Sequence, residues 1–342
     1  MSFDLDALAL AIAEPDADLA ERTQARLEAA DGTGYGRLTK LAAWWASTRG
    51  DERAAPPLRV LHLGVRSVAL QPVPDVAWTE AGHPPEVLQA PLPGTPSQPE
   101  SSPTRAASET RPESPALPAE PARPRTTALA PPTAARLEHH ALDATAGLPD
   151  DVDAAIGWAV ALVDAAVDAG TDLLLLGVPD PFPGRLVAAA LMGLDPVEAT
   201  GWPDEAGLDD ESWMAEVAAL RDGLVGLRPV RGEPLELLRA LGHPGIAAGT
   251  AALLQAAARR TPVLLDGPGA ATVALLARRA VRASRGWWQA GSGSGQNLHE
   301  RSLTSLRLDP LVRLEVQRED GTGARLGLAV LEAAAGLLRP ES

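Results

Sequence analysis

The stretch DDVDAAIGWAVALVDAAVDAGTDLLLLGV, residues 150–178, decides the fold. Its opening acids suit the positive end of a helix dipole, and apolar residues recur at helical spacing until Gly170 stops the run. An apolar strand follows at once, over 172–177. Residues 234–281, PLELLRALGHPGIAAGTAALLQAAARRTPVLLDGPGAATVALLARRAV, repeat that order as helix, strand 262–266, turn and helix. LRVLHLGV at 58–65 reads as another buried strand and GWWQAG at 286–291 as a short one. Strands that are apolar throughout and alternate with helices are covered on both faces, which implies an α/β fold built on a parallel sheet. Ligands of such sheets sit outside the carboxyl ends of the strands, so the loops to examine start at Gly64, Gly177, Asp266, Ala290 and Gln317.

With 342 residues, 45% of them apolar, the chain suits one large domain plus a smaller one. It has no cysteine, which excludes disulfides and thiolate metal sites, and its six histidines lack zinc-site spacing, His139 and His140 being adjacent. No metal site is expected. The N-terminal MSFDLDALALAIAEPDADL carries acids where a signal peptide needs positive charge, and no apolar run is long enough to span a bilayer. A cytoplasmic chain without membrane contact is therefore expected. The formal charge of −15 argues against nucleic acid as a partner, because that binding needs cations to neutralise phosphates. Residues 72–133 hold half of the 32 prolines and lack apolar periodicity; they read as a disordered insertion. Before them, 18–30 and 36–50 show helical spacing on either side of the turn DGTGYG.

Four stretches, GYGRLTKLAAWWASTRG (34–50), GTDLLLLG (170–177), RRTPVLLDG (259–267) and EDGTGARLGLAVLEAAAGLL (319–338), stand in this order. Together they resemble the nicotinate-nucleotide:dimethylbenzimidazole phosphoribosyltransferases, over about residues 14–65 and 136–338. The resemblance implies a Rossmann-like parallel sheet in a large domain (51–71 and 134–322) and a small helical domain drawn from both chain ends (1–50 with 323–340). It also implies a homodimer with its site at the strand ends. The implied reaction joins a benzimidazole nitrogen to the anomeric carbon of nicotinate mononucleotide, releasing nicotinate and giving alpha-ribazole 5′-phosphate. Both substrates are small molecules, and neither a metal nor a redox cofactor is implied.

A benzimidazole loses its N–H proton as its other nitrogen attacks, and a carboxylate at that N–H acts as general base. The family's glutamate before Gly-Thr-Gly matches Asp320, with Glu319 beside it. An Asp is one methylene shorter, so either Asp320 or Glu319 takes the role; the alternative is that both acids simply stabilise the start of the helix at 323–338 through its dipole. Gly321, Thr322 and Gly323 would present backbone N–H groups to a ligand, and Gly177, which starts a strand-end loop, is a further substrate-binding candidate.

Departures from the family pattern bear on the nucleotide. VPDPFPGRL (178–186) replaces a helix N-terminus suited to anions, and its three prolines remove N–H donors. Gly184 and Arg185 are the candidate replacements, Arg185 as a bidentate phosphate ligand. In PDEAGLDDESWMAEV (203–217) Glu216 stands where the family has a lysine, and would repel a phosphate. LGVRSVAL (63–70) lacks the family's Asp-His-Gly. GSGSGQNLH (291–299) keeps only Ser294 and His299 of another family run, and Tyr35 either packs on an aromatic base or caps its turn. These losses leave a second reading beside the enzyme: a catalytically impaired member that serves as a nucleotide-binding or partner subunit.

Overall fold

The computed structural model describes residues 4–31, 35–55, 57, 59–64, 138–143, 147–178, 181–203 and 207–338. The proline-rich segment 72–133 lies outside them. The helices are α1 (Leu5–Ala11), α2 (Ala17–Asp31), α3 (Arg37–Arg49), α4 (Val152–Asp168), α5 (Pro181–Met192), α6 (Pro196–Thr200), α7 (Asp210–Leu227), α8 (Pro234–Leu241), α9 (Pro244–Ala258), α10 (Gly267–Ala280), α11 (Asn297–Leu306) and α12 (Thr322–Gly336). The strands are β1 (Arg59–Gly64), β2 (Glu138–Asp143), β3 (Leu173–Gly177), β4 (Val263–Asp266), β5 (Trp288–Ala290), β6 (Ser292–Gly293) and β7 (Val312–Arg313).

Five strands form one sheet in the order β2-β1-β3-β4-β5, every neighbouring pair parallel. Because successive side chains point to opposite faces, each strand feeds two cores. Leu61, Leu63, Leu174, Leu176, Val263 and Leu265 pack with α4, α5, α9 and α10. Val60, Leu173, Leu175 and Leu264 pack on the other face, with Leu27 of α2, Leu41 and Trp45 of α3, and Leu328 and Leu331 of α12. The helices from the two chain ends thus build directly on the sheet. Trp45 is fully buried there, its indole N–H donating to the carbonyl of Ala55 at 2.8 Å. Trp287 and Trp288 are buried in the first core, where Trp287 donates to the carbonyl of Ala13 at 2.8 Å.

The strand order reverses between β1 and β3: the chain steps from β1 to the edge at β2, then crosses to the other side. Such a reversal opens a crevice at the carboxyl ends, where flanking connections leave in opposite directions. Gly64, Gly177 and Asp266 lie there side by side in register. Among the described residues, no helix is long and apolar enough to cross a membrane.

Candidate active site at the strand ends

Asp266 stands at these strand ends, beside Gly177. It is the last residue of β4 and fully buried. Its Oδ2 accepts the N–H of Gly321 at 2.6 Å and its Oδ1 that of Ala324 at 2.8 Å, so it supplies acceptors for the first turn of α12. Burial in a low-dielectric site pushes its carboxyl up to about 6, against the pull of those backbone donors, with Asp320 raising it further. Such a group holds the Gly-Thr-Gly turn against the sheet.

Gly321 shows why that turn is glycine. Its φ of 87° is left-handed, and a Cβ there would lie 2.2 Å from Cε1 of His62 on β1. At Gly323 a Cβ would meet Oγ of Ser292 at 2.1 Å and Oδ1 of Asp266 at 2.7 Å. Of the three amides expected to face a ligand, that of Gly321 is thus turned onto Asp266, together with the Ala324 amide. Thr322 is exposed, its N–H and hydroxyl both donating to Asp320 Oδ1, at 3.1 and 2.6 Å.

The two acids of the motif part company. Asp320 is exposed, receives those two donations from Thr322, and takes a third from Arg318 Nε at 2.7 Å. Partial burial raises its carboxyl, but the Thr322 and Arg318 hydrogen bonds outweigh this and hold it below the ordinary range. Asp320 thereby satisfies the N–H of Thr322, the first residue of α12. Glu319 turns inward instead: its Oε1 accepts the N–H of Gly269 at 2.6 Å, in the first turn of α10. Its backbone carbonyl lies 3.4 Å from where a Cβ on Gly177 would stand, and its Cγ 2.7 Å from where one on Gly267 would. Both glycines leave room for this residue. Gly269 is held tighter still, since a Cβ there would fall 1.7 Å from the Val178 carbonyl oxygen.

The expected phosphate cation is occupied. Of the three prolines after β3, Pro179 lies outside the described residues, and Pro181 and Pro183 stand in the first turn of α5, where missing N–H donors cost nothing. Gly184 is therefore inside the helix, its carbonyl accepting from Thr272 Oγ1 at 3.4 Å. Arg185, one residue on, forms an ion pair with the buried Glu216 of α7. Its guanidinium is lowered from the usual arginine value by burial. The two departures at 185 and 216 meet each other, and the structure places the Arg185 guanidinium on a buried carboxylate.

Ser294 is also internal. Fully buried, its Oγ lies 2.8 Å from Nδ1 of His299 and accepts the N–H of Gln296 at 3.2 Å. A Ser294 O–H donated to a neutral imidazole satisfies both contacts, consistent with burial depressing His299 to about 4. Tyr35 stands at the turn before α3, 45% exposed, its carbonyl accepting from Leu38 N at 3.1 Å. Sequence reasoning marked Asp266 and Gln317 only as loop starts, and it passed over His62 and Gly269. The signal for Asp266 was a polar residue ending an otherwise apolar strand, VLLD.

A family model described as Phosphoribosyltransferase matches residues 117–341. The nicotinate-nucleotide–dimethylbenzimidazole phosphoribosyltransferase of Mycobacterium ulcerans is 41% identical over 192 residues, 55% of this chain and 53% of that protein. Its namesake in Streptomyces avermitilis is 41% identical over 191 residues, covering 55% and 51%. The chain thus aligns with about half the length of the curated relatives it matches. A crystal structure of the Thermus thermophilus nicotinate-nucleotide–dimethylbenzimidazole phosphoribosyltransferase superposes with a TM-score of 0.62 at 19% identity, over 94% of this chain and 96% of the other, which speaks to the fold. With two thirds of its length under the family model and its strand-end crevice closed by the motif that carries the likeness, the chain belongs to this phosphoribosyltransferase family.

Proposed function

We propose that this chain transfers the phosphoribosyl group of nicotinate mononucleotide to dimethylbenzimidazole or a related base, giving alpha-ribazole 5′-phosphate. One nitrogen of the base attacks the anomeric carbon, and the glycosidic bond to nicotinate breaks with its electron pair returning to the pyridine nitrogen. The proton on the other benzimidazole nitrogen leaves to a carboxylate. The observation that carries this reading is Glu319, turned from the motif into the crevice with Oε1 on the Gly269 N–H. It is favoured over Asp320 by position, because Asp320 is exposed and faces Thr322 and Arg318 at the surface. The substrate sites extend to Gly177 and the Gly321–Gly323 turn, the active form is a homodimer, and no metal or redox cofactor takes part.

The test is incubation of the purified chain with nicotinate mononucleotide and dimethylbenzimidazole, following alpha-ribazole phosphate by chromatography. Product is expected, with Glu319→Gln lowering kcat by about a hundredfold or more, the usual worth of a general base. Asp320→Asn is expected to cost far less. Equal loss in both variants would assign the proton to neither alone, and absence of product would remove the catalytic reading. The Arg185–Glu216 pair favours a second reading, a subunit that binds without turnover, because it takes the expected cation away from a phosphate. Saturable calorimetric binding of nicotinate mononucleotide with no product would select it.

A further inference from the structure

The amino ends of the strands carry a feature that the strand-end chemistry does not use. Helices α5 and α10 both start at the carboxyl ends and run back, and where they finish the molecule has a cavity of about 1230 Å³. Among the described residues, seven arginines line it, against one carboxylate, Glu14. Four of them, Arg278, Arg279, Arg282 and Arg285, come from the end of α10 and the 3-10 turn Arg282–Trp287. Arg307 enters from the end of α11, and Arg228 and Arg231 follow α7.

This clustering runs against the charge balance of the whole chain. The protein has 45 acidic and 30 basic residues, so a carboxylate is the commoner neighbour for an arginine. Among the described residues, ten arginines elsewhere do form ion pairs with carboxylates. Among the described residues, none of the seven in the cavity does. Two are held in place by the carbonyl end of α11: Arg278 donates to the Ser305 carbonyl and, at 3.3 Å, to its Oγ, while Arg285 donates to Leu306 O at 2.9 Å and to Arg307 O. Arg307 closes α11 with a left-handed φ of 55°, where glycine is the ordinary residue. Arg278 and Arg285 are lowered from the usual arginine value by burial first, then by the neighbouring guanidiniums of Arg282, Arg278 and Arg307.

We infer that this arginine-lined cavity binds a small molecule carrying several phosphoryl groups, at a site separate from the strand-end crevice. Guanidinium forks match phosphate oxygens bidentately, and like charges converging on one concavity are stabilised by an anion that meets several at once. A single phosphate leaves most of the volume unfilled, since drug-sized ligand pockets run to roughly 300–1,000 Å³. The inference does not depend on the proposed transfer reaction, and its readout is binding alone.

Inorganic tripolyphosphate titrated into the full chain by calorimetry tests it. Saturable binding is expected, weakening at higher salt as charge screening requires. The double variant Arg282→Glu with Arg307→Glu should lose at least tenfold in affinity, while Arg22→Glu, on the exposed face of α2, should not change it. Circular dichroism checks that the double variant folds, and Arg282→Gln gives a milder version with a smaller loss. Absence of binding at millimolar tripolyphosphate, or equal affinity in the double variant, overturns the inference. So does sedimentation showing that the double variant abolishes self-association of a wild type that binds no tripolyphosphate; the cavity would then be an interface for the acidic surface of a second copy.

Discussion

Asp266 and His299 are buried titratable groups whose shifts oppose each other. The folded chain keeps a proton on Asp266 up to about pH 6, whereas an unfolded aspartate loses it near 3.8. Between those values the folded state binds more protons, so this residue makes stability fall as pH rises. His299 is depressed from 6.5 to about 4, so the unfolded state binds more protons there and stability rises with pH over that window. The windows overlap between about pH 4 and 6, and the two slopes largely cancel. Urea unfolding across that range should show a nearly flat contribution from the pair in the wild type. His299→Gln should expose the falling slope and Asp266→Asn the rising one; parallel profiles in all three would show that neither group is shifted. The sequence reached Asp266 only as a loop start, because its partners lie 55 and 58 residues further on and leave no local pattern. The same limit applies at Arg185 and Glu216: each reads as a defect alone, and only the fold shows that the two changes meet.

Elements were legible where local pattern and burial agree. The strands expected at 172–177 and 262–266 appear as Leu173–Gly177 and Val263–Asp266, because an apolar run between turns has no other stable place than the middle of a parallel sheet. Missed elements lacked that agreement. Strand β2 reads EHHALD and sits at the sheet edge with one neighbour, α1 buries no residue, and β6 and β7 have two residues each. Nor does periodicity reveal how closely α12 approaches the sheet. Gly291 follows β5, and a Cβ on it would stand 2.6 Å from Cα of Ala324; one on Gly327 would stand 2.6 Å from Cα of Gly291. Backbone faces backbone at this crossing, with no flexible side chain to give way. Gly327→Ala should therefore cost roughly 1–3 kcal/mol, the usual range for overpacking, in spite of alanine's better helix propensity. Alanine at Gly336, where nothing lies within 4 Å, should be neutral or slightly stabilising. Thermal melts of the two variants make the comparison, and equal midpoints would mean the crossing is looser than described.

At the scale of the molecule, α12 joins two functions that a linear reading keeps apart. Its apolar side covers the sheet face made by Val60, Leu173, Leu175 and Leu264, together with α3, and its first turn supplies the N–H groups that hold Asp266. Removing residues 322–342 would uncover Leu173, Leu175 and Leu264, each now fully buried, and leave Asp266 without the Ala324 donor. Exposed apolar area costs about 25 cal/mol per Å², and a buried carboxylate that loses a donor costs more than a neutral group. A domain is stable by only about 5–15 kcal/mol, so losses at both places are larger than the margin. The truncated chain should collect in the insoluble fraction or, refolded, bind a hydrophobic dye and unfold without a cooperative transition. Cooperative melting at the full-length midpoint would show instead that the sheet is stable without its C-terminal cover, and the crevice would then have to be held by contacts other than the Asp266–α12 hydrogen bonds.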